Sequence, residues 1–440
     1  MFIGYHILIK FFKNGNLNND YLKEQYLNCE KNSIEGDIQG IIQNIDYLKE
    51  LGIDLIYLGP IFDSNTTHGY DTTNYYSIAS HISSKKIEES EEIFKNFISE
   101  CKKRNIKIII DLVLNHASKN YDFSKIPKQF SPKIEPPQSP QEIKWQKLFL
   151  FWNLSDENTR EFLIDVGTYW LTKFDIDGFR LDHALGIEKN FWKIFSEKMR
   201  KIKKEVILLG EIWDDAVDAE KNFELIDSFK KYSGVNLFSS LYDFFMYENI
   251  KNFFVFDKIT TDEFYEIIYK SNQLNDKEFS LTYFIENHDI PRFIDICKNK
   301  ENFYDAMKIL FSLSGNILLE YGNEFCIKGD SNYKYFSESG RVPMKFKNKF
   351  SNEEKEVFEF TKKLINLRKE NESLSKGNYE KIYSDKNTLI IKKSYKEDNC
   401  YILLAKIDTK FNENYYDIIN EIEYPSSYIL KKGVYILKRR

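Results

Sequence analysis

The chain is expected to be an α/β protein, a (β/α)8 barrel with a short insertion after its third strand and a small antiparallel β domain at its C-terminal end. Three observations lead to this expectation. Short, almost continuously apolar segments alternate with helix-period segments over most of the chain, as in a parallel sheet covered on both faces. Eight such segments can be counted, which suits a closed barrel; an open doubly wound sheet is the other arrangement the alternation allows. Four of the segments run into polar clusters: Asp111–His116, Asp177–His183, Leu209–Trp213 and Phe284–Asp289. The working residues of parallel barrels sit at such carboxyl ends of strands.

The elements follow in order. Ile3–Ile9 reads as the first strand. Asp37–Leu51 has Ile38, Ile41, Ile42, Ile45 and Leu48 at helical spacing. Ile53–Leu58 is the second strand, Ile87–Arg104 a helix and Ile106–Val113 the third strand. Helices at Asn158–Phe174 and Phe191–Lys204 precede strands at Ile176–Leu181 and Val206–Leu209. Val235–Leu237, Leu281–Ile285 and Asn316–Glu320 supply the remaining strands. Residues 117–150 break the rhythm, with five of the nine prolines between Pro127 and Pro140 and no clear helix. After a helix around Glu353–Lys369 the pattern becomes Tyr379–Tyr383, Thr388–Lys392, Cys400–Lys406 and Tyr428–Leu437, short strands joined by turns. The expected organisation is a catalytic barrel over 1–375, an insertion over 117–150 within it, and a C-terminal β-sandwich over 376–440.

The 440 residues are enough for one large domain and a small one. A net charge of −5 gives no clustered positive surface for nucleic acid. No segment approaches the ~20 apolar residues of a membrane span. The start, Met1-Phe2-Ile3-Gly4-Tyr5, lacks the basic region of a secretory signal. Cys29, Cys101, Cys297, Cys326 and Cys400 show no metal-ligand or redox spacing. Free thiols in a reducing cytoplasm are the expectation.

The four clusters supply carboxylates, an arginine and histidines. Glycosidic cleavage needs a nucleophile or base, an acid, and a means of holding positive charge on the sugar. Arg180 lies two residues from Asp182, hence on the same strand face, and a guanidinium there would keep the carboxylate ionised. Glu211 lies between Leu-Leu-Gly and Ile-Trp, apolar surroundings that suit a general acid. His288 and Asp289 would complete the pocket. Taken singly, an Asp–Arg pair reads equally well as a structural salt bridge, and Asn-His-Asp as a capping loop.

Together with Gly36–Ile41, Leu51–Phe62, His68-Gly69-Tyr70-Asp71, Tyr321-Gly322-Asn323-Glu324 and Arg341-Val342-Pro343-Met344, the clusters resemble, in order, the α-amylase family, glycoside hydrolase family 13, over essentially the full length. The resemblance implies that Asp182 is the nucleophile, Glu211 the acid and then the base, and Asp289 the stabiliser of the transition state. It implies that Tyr70 stacks on the sugar, that His116, Arg180 and His288 bind it, and that Arg341 belongs to a substrate loop. Asn115 is a calcium ligand in many relatives. Here few acids accompany it, Asp122 and Glu135 being the obvious ones, so no cofactor is the expectation and calcium the alternative.

The chain departs from the family pattern at Leu185 and Gly186, where many members have a Lys-His pair, and at Ser337, where many keep an aspartate. Trp213, Trp145 and Trp152 are the candidates for apolar acceptor-side surface, and His183 is a candidate for the same side. The implied activity is retaining hydrolysis of α-1,4 bonds in maltooligosaccharides or related α-glucans. Glucanotransfer on the same scaffold and a non-catalytic binding protein are the alternatives.

Overall fold

The computed structural model describes residues 1–20, 34–121, 140–332, 338–410 and 413–439. Eight parallel strands form one sheet: Ile3–Ile7, Leu55–Leu58, Lys107–Leu112, Gly178–Leu181, Ile207–Gly210, Ser240–Leu241, Thr282–Tyr283 and Asn316–Glu320. Numbered in that order, the neighbours run 6-5-4-3-2-1-8-7. A parallel bridge between Tyr242 and Thr282 joins the two ends and closes the barrel.

Helices cover the outside. Ile87–Lys103 buries Ser90, Phe94, Phe97, Ile98 and Cys101, one stripe at three- and four-residue spacing, with acids in its first turn and lysines in its last. Glu157–Phe174 starts at Asp156, whose side chain accepts from the Thr159 N–H, and buries Trp170 completely. Inside the barrel Leu55, Tyr57, Ile109, Leu209, Tyr242, Phe284 and Leu318 pack in layers.

At the C-terminal end six antiparallel strands pair in the order Asn378–Ser384, Thr388–Tyr395, Asp398–Ala405, Gly433–Arg439, Tyr415–Asp417 and Ile422–Tyr424. Thr409–Lys410 and Ile429–Leu430 form a second small sheet. Buried Lys393 ties this region to the barrel by donating to Leu374 O at 2.7 Å and Ser314 Oγ at 2.9 Å.

The structure corrects several expectations. The first strand stops at Ile7, and Ile9–Phe12 is a helical turn. The helix expected over Asp37–Leu51 is two, Ile38–Ile42 and Ile45–Leu51. Asn44 between them donates its side chain to Gly40 O at 2.8 Å, a local bond that competes with helix continuation. Val235 is not in the barrel. Val235–Asn236 pairs with Lys231–Tyr232 across Ser233 and Gly234, both at positive φ, the backbone of a tight hairpin turn. The sixth strand is the two-residue Ser240–Leu241. The insertion does contain a helix, Pro140–Trp145, which proline can open because its missing N–H has no partner there anyway. Residues 122–139, with most of the expected proline-rich segment, lie outside the described residues. The Tyr428–Leu437 run is split between the two C-terminal sheets.

Gly178 opens the fourth strand at φ +153°, and a Cβ there would stand 1.9 Å from the Ile207 carbonyl oxygen. That oxygen belongs to the fifth strand's backbone and cannot swing aside. Gly178→Ala is therefore expected to destabilise the fold by about 3 kcal/mol. Urea unfolding of parent and variant checks this, and equal midpoints would show the strand pair to be more pliable than its spacing implies.

Candidate active site

The centre of the barrel mouth is a buried guanidinium. Arg180 of the fourth strand stands in register with Asp111 of the third and is 1% exposed. Its Nη1 donates to both Asp111 oxygens, at 3.0 and 3.1 Å, and to Asp182 Oδ1 at 2.5 Å. Its Nη2 pairs with Glu211 Oε1 at 2.5 Å. Strand alternation puts residues 180 and 182 on one face. The ladder runs one residue past the strand ends, with Asp182 N–H donating to Leu112 O at 3.2 Å and Glu211 N–H to Leu181 O at 3.1 Å. Both acids are thus held by backbone as well as by the arginine. Glu211 Oε2 accepts from the His183 N–H at 2.9 Å. His183 makes that bond from a left-handed conformation, φ +40°, a strained backbone of the kind found where a site demands it.

A second group faces this one. Asp289 takes Arg341 Nη2 on Oδ1 and His288 Nε2 on Oδ2, both at 3.0 Å. Arg341 Nε donates to the His288 carbonyl at 3.0 Å, fixing the loop. The Tyr70 hydroxyl lies 2.6 Å from His288 Nε2 and 3.1 Å from Asp111 Oδ2, linking the two groups. Tyr57, hidden in the second strand, donates to the same Asp111 oxygen at 2.5 Å. No polar cue in its apolar strand marked Tyr57 for this role.

The charge states follow from burial and neighbours. Burial pushes the Asp182 carboxyl up to about 8; Arg180 opposes this, and the charges of Glu211 and Asp111 add to it. The expectation that Arg180 alone keeps Asp182 ionised is thereby corrected: one guanidinium serves three buried carboxylates. Asp182 and Glu211 share that guanidinium, so the retained proton belongs to the pair. Burial also works against ionised Asp289, but His288, Arg341 and Arg180 overcome it and hold its carboxyl well below the usual range. Burial keeps His116 neutral, with its pKa lowered to about 3.

These groups line a cavity of about 390 Å³ that contains Tyr70, His116, Asp182, Glu211, Asp289 and Arg341, with His68, His183, Asp215 and Glu338 around them. Arg180 and His288 lie beneath its wall. His116 does not end the third strand as expected: it starts a strand, His116–Ser118, paired with Phe149–Phe151 of the insertion. Of the three tryptophans, Trp213 and Trp145 line the cavity. Trp213 stacks on Phe244 at 4.5 Å, and Trp145 meets His183 edge-on at 5.1 Å. Trp152 is core, buried with its Nε1 donating to the Tyr75 hydroxyl at 3.2 Å. A larger cleft of about 900 Å³ by Phe12 and Met344 has its acids Glu353 and Glu354 paired with Lys300 and Lys345. Asn115 is buried beside the mouth. The acids expected to accompany it at a calcium site, Asp122 and Glu135, lie outside the described residues, as does Ser337.

A closed parallel barrel with carboxylates gathered on one guanidinium at the carboxyl ends of its strands has the parts of a sugar-cleaving hydrolase of the two-carboxylate class. Comparison with known proteins makes this specific. The family model "Alpha amylase, catalytic domain" matches residues 6–142 and 147–355. Alpha-amylase 2 of Dictyoglomus thermophilum is 30% identical, covering 98% of this chain and 74% of its own length. A cyclomaltodextrinase of Thermoanaerobacter pseudethanolicus is 31% identical over 84% of this chain, which spans 63% of that protein. The crystal structure of an Anoxybacillus alpha-amylase superposes with a TM-score of 0.81 at 25% identity, covering 100% of this chain and 98% of that one. The chain belongs to the alpha-amylase family of glycoside hydrolases, family 13.

Removing the guanidinium should expose the electrostatic debt of the cluster. Arg180→Ala is expected to destabilise the protein by about 3–5 kcal/mol at pH 7. With the cation gone, the Asp182 carboxyl, already raised by burial, rises further above its unfolded value. The loss should then shrink as pH falls toward the unfolded carboxyl range and grow as pH rises. Thermal unfolding at two pH values checks it, and an equal loss at both would contradict the charge count.

Proposed function

We propose that the protein cleaves α-1,4-glucosidic bonds of maltooligosaccharides or related α-glucans with retention of configuration. The observation that carries this reading is the sharing of Arg180 by Asp182 and Glu211. Two carboxyls on the two terminal nitrogens of one guanidinium suit the short spacing of retaining enzymes, about 5–5.5 Å, better than the wider gap that inverting enzymes leave for water.

In this reading Asp182 attacks the anomeric carbon, and Glu211 protonates the departing glycosidic oxygen. The pair's retained proton is the one delivered. Positive charge growing on the sugar favours ionised Asp182 and so moves the proton to Glu211. A water deprotonated by Glu211 then cleaves the glycosyl-enzyme. Asp289, held ionised by its partners, faces the same positive charge. Tyr70 and His116 offer ring faces to the sugar, and Arg341 fixes the loop carrying Asp289. Carboxylates alone supply this chemistry, so we propose no cofactor, and activity should survive exhaustive dialysis against a chelator.

The names of the relatives, amylase and cyclomaltodextrinase, support hydrolysis over transfer. A protein that only binds sugar would have no need of three carboxylates converging on one cavity. No described helix is long and apolar enough to cross a membrane. The four described cysteines are all free, which supports a reducing, cytoplasmic setting.

The test is incubation with a series of maltooligosaccharides and resolution of the products. Shorter sugars alone are expected; longer ones would mean transfer, and no change would mean binding without catalysis. Asp182→Asn and Glu211→Gln should each lower kcat by at least about 10³-fold. Glu211 must carry the pair's proton as the sugar leaves, so kcat/KM should fall on the alkaline side, where the pair loses that proton; burial, which raises the Asp182 carboxyl, displaces this limb upward. An alkaline limb below pH 6 would contradict that assignment.

A further inference from the structure

Behind His288 lies a second pair of buried ionisable groups that the reaction above does not use. His6 of the first strand and Glu320 of the eighth are register partners, each almost completely buried. His6 Nδ1 lies 2.6 Å from Glu320 Oε2. A carboxylate only accepts, so Nδ1 carries the proton and donates. The His6 ring is stacked on Tyr57 at 4.2 Å and 19°, which fixes its orientation from the other side.

Glu320 Oε1 and His288 Nδ1 are both buried without a hydrogen-bond partner. One ring nitrogen of each histidine and one Glu320 oxygen lie within 4.8 Å of one another. The His6 and His288 rings are 4.8 Å apart. On its other edge His288 is fully engaged, Nε2 lying 2.6 Å from the Tyr70 hydroxyl and 3.0 Å from Asp289 Oδ2. Unmade bonds on buried polar atoms are costly, and His6 Nε2 is a third unpartnered atom of this cluster.

We propose that Glu320, anchored by His6, is a positioning residue that holds His288 as the imidazolium, with Nδ1–H directed at Glu320 and Nε2–H at Asp289. The charged groups around His288 agree with a cation there. Asp289 comes from its own loop, Glu320 from the eighth strand and Asp111 through Tyr70; Arg180 of the fourth strand is the opposing charge, and His6 stays neutral because burial outweighs its carboxylate partner. Burial works against charging His288, yet its pKa is raised, Asp289 being the largest favourable influence and Glu320 adding to it. A charged partner makes a stronger hydrogen bond to a carboxylate than a neutral one, so the imidazolium keeps Asp289 ionised beneath the reacting carbon.

The proposal rests on Asp289 facing the sugar, as in the function proposed above, and its test reads the imidazole directly, whatever the substrate proves to be. The protein is labelled with ¹⁵N-histidine, and ring-nitrogen shifts are followed over about pH 5 to 8, with His288→Asn used only to assign the signal. In the parent His288 should be charged at neutral pH. In Glu320→Gln its protonation constant should drop about tenfold or more. Glu320→Asp keeps the charge but withdraws it, and should fall between; it also carries the test should the Gln variant not fold. The same His288 titration in parent and variants would overturn the proposal. So would a neutral His288 in the parent at pH 7, or uptake of one equivalent of added Zn²⁺ that Glu320→Gln abolishes, since a cation would then satisfy the cluster instead of a proton.

Discussion

The structure depends on one buried charge. Arg180 is sealed under the barrel mouth, where taking a guanidinium out of water costs several kcal/mol unless its partners are close and well aligned. Asp111, Asp182 and Glu211 meet that condition from three successive strands. The requirement acts on the fold itself. It asks that the third, fourth and fifth strands keep one register, that Gly178 leave room for Ile207, and that His183 accept a left-handed backbone so that its N–H can serve Glu211. The same geometry that makes the charge tolerable brings two carboxyls onto one cation.

The charge is not fully balanced, and the imbalance is chemically useful. Three carboxylates against one guanidinium leave an affinity for protons in the pair, expressed as the raised Asp182 carboxyl. Across the cavity the balance is reversed: Asp289 faces His288 and Arg341 and stays ionised. Two environments in one cavity therefore hold carboxyls in different states, the condition under which one can give a proton while another stabilises positive charge. The Tyr70 hydroxyl, bonded to Asp111 on one side and His288 on the other, couples the two halves.

Much of this was legible in the sequence because it is written in short-range spacing. A two-residue step from Arg180 to Asp182 means one face of a strand, and Asp111, Glu211 and His288-Asp289 each follow an apolar run that ends at the mouth. What was not legible depends on distance along the chain or on very short elements. His6 and Glu320 are 314 residues apart and meet only because the barrel closes. Tyr57 looks like core until Asp111 is placed beside it. The sixth strand has two residues, too few for a period, while the more apolar Val235 was drawn into a hairpin by Ser233 and Gly234. The charge state of Asp182 was misjudged because its nearest neighbour in sequence is a cation, whereas burial and two distant carboxylates decide the sum.

Catalysis in the proposed function turns on Asp182 and Glu211, gathered on Arg180, acting as a close retaining pair. The most direct measurement is proton NMR of the anomeric signals in the first moments of maltooligosaccharide hydrolysis, before mutarotation mixes them. A close retaining pair releases the new reducing end as the α-anomer. Initial release of the β-anomer would mean that water attacks the sugar directly, and it would contradict the geometry assigned to the pair.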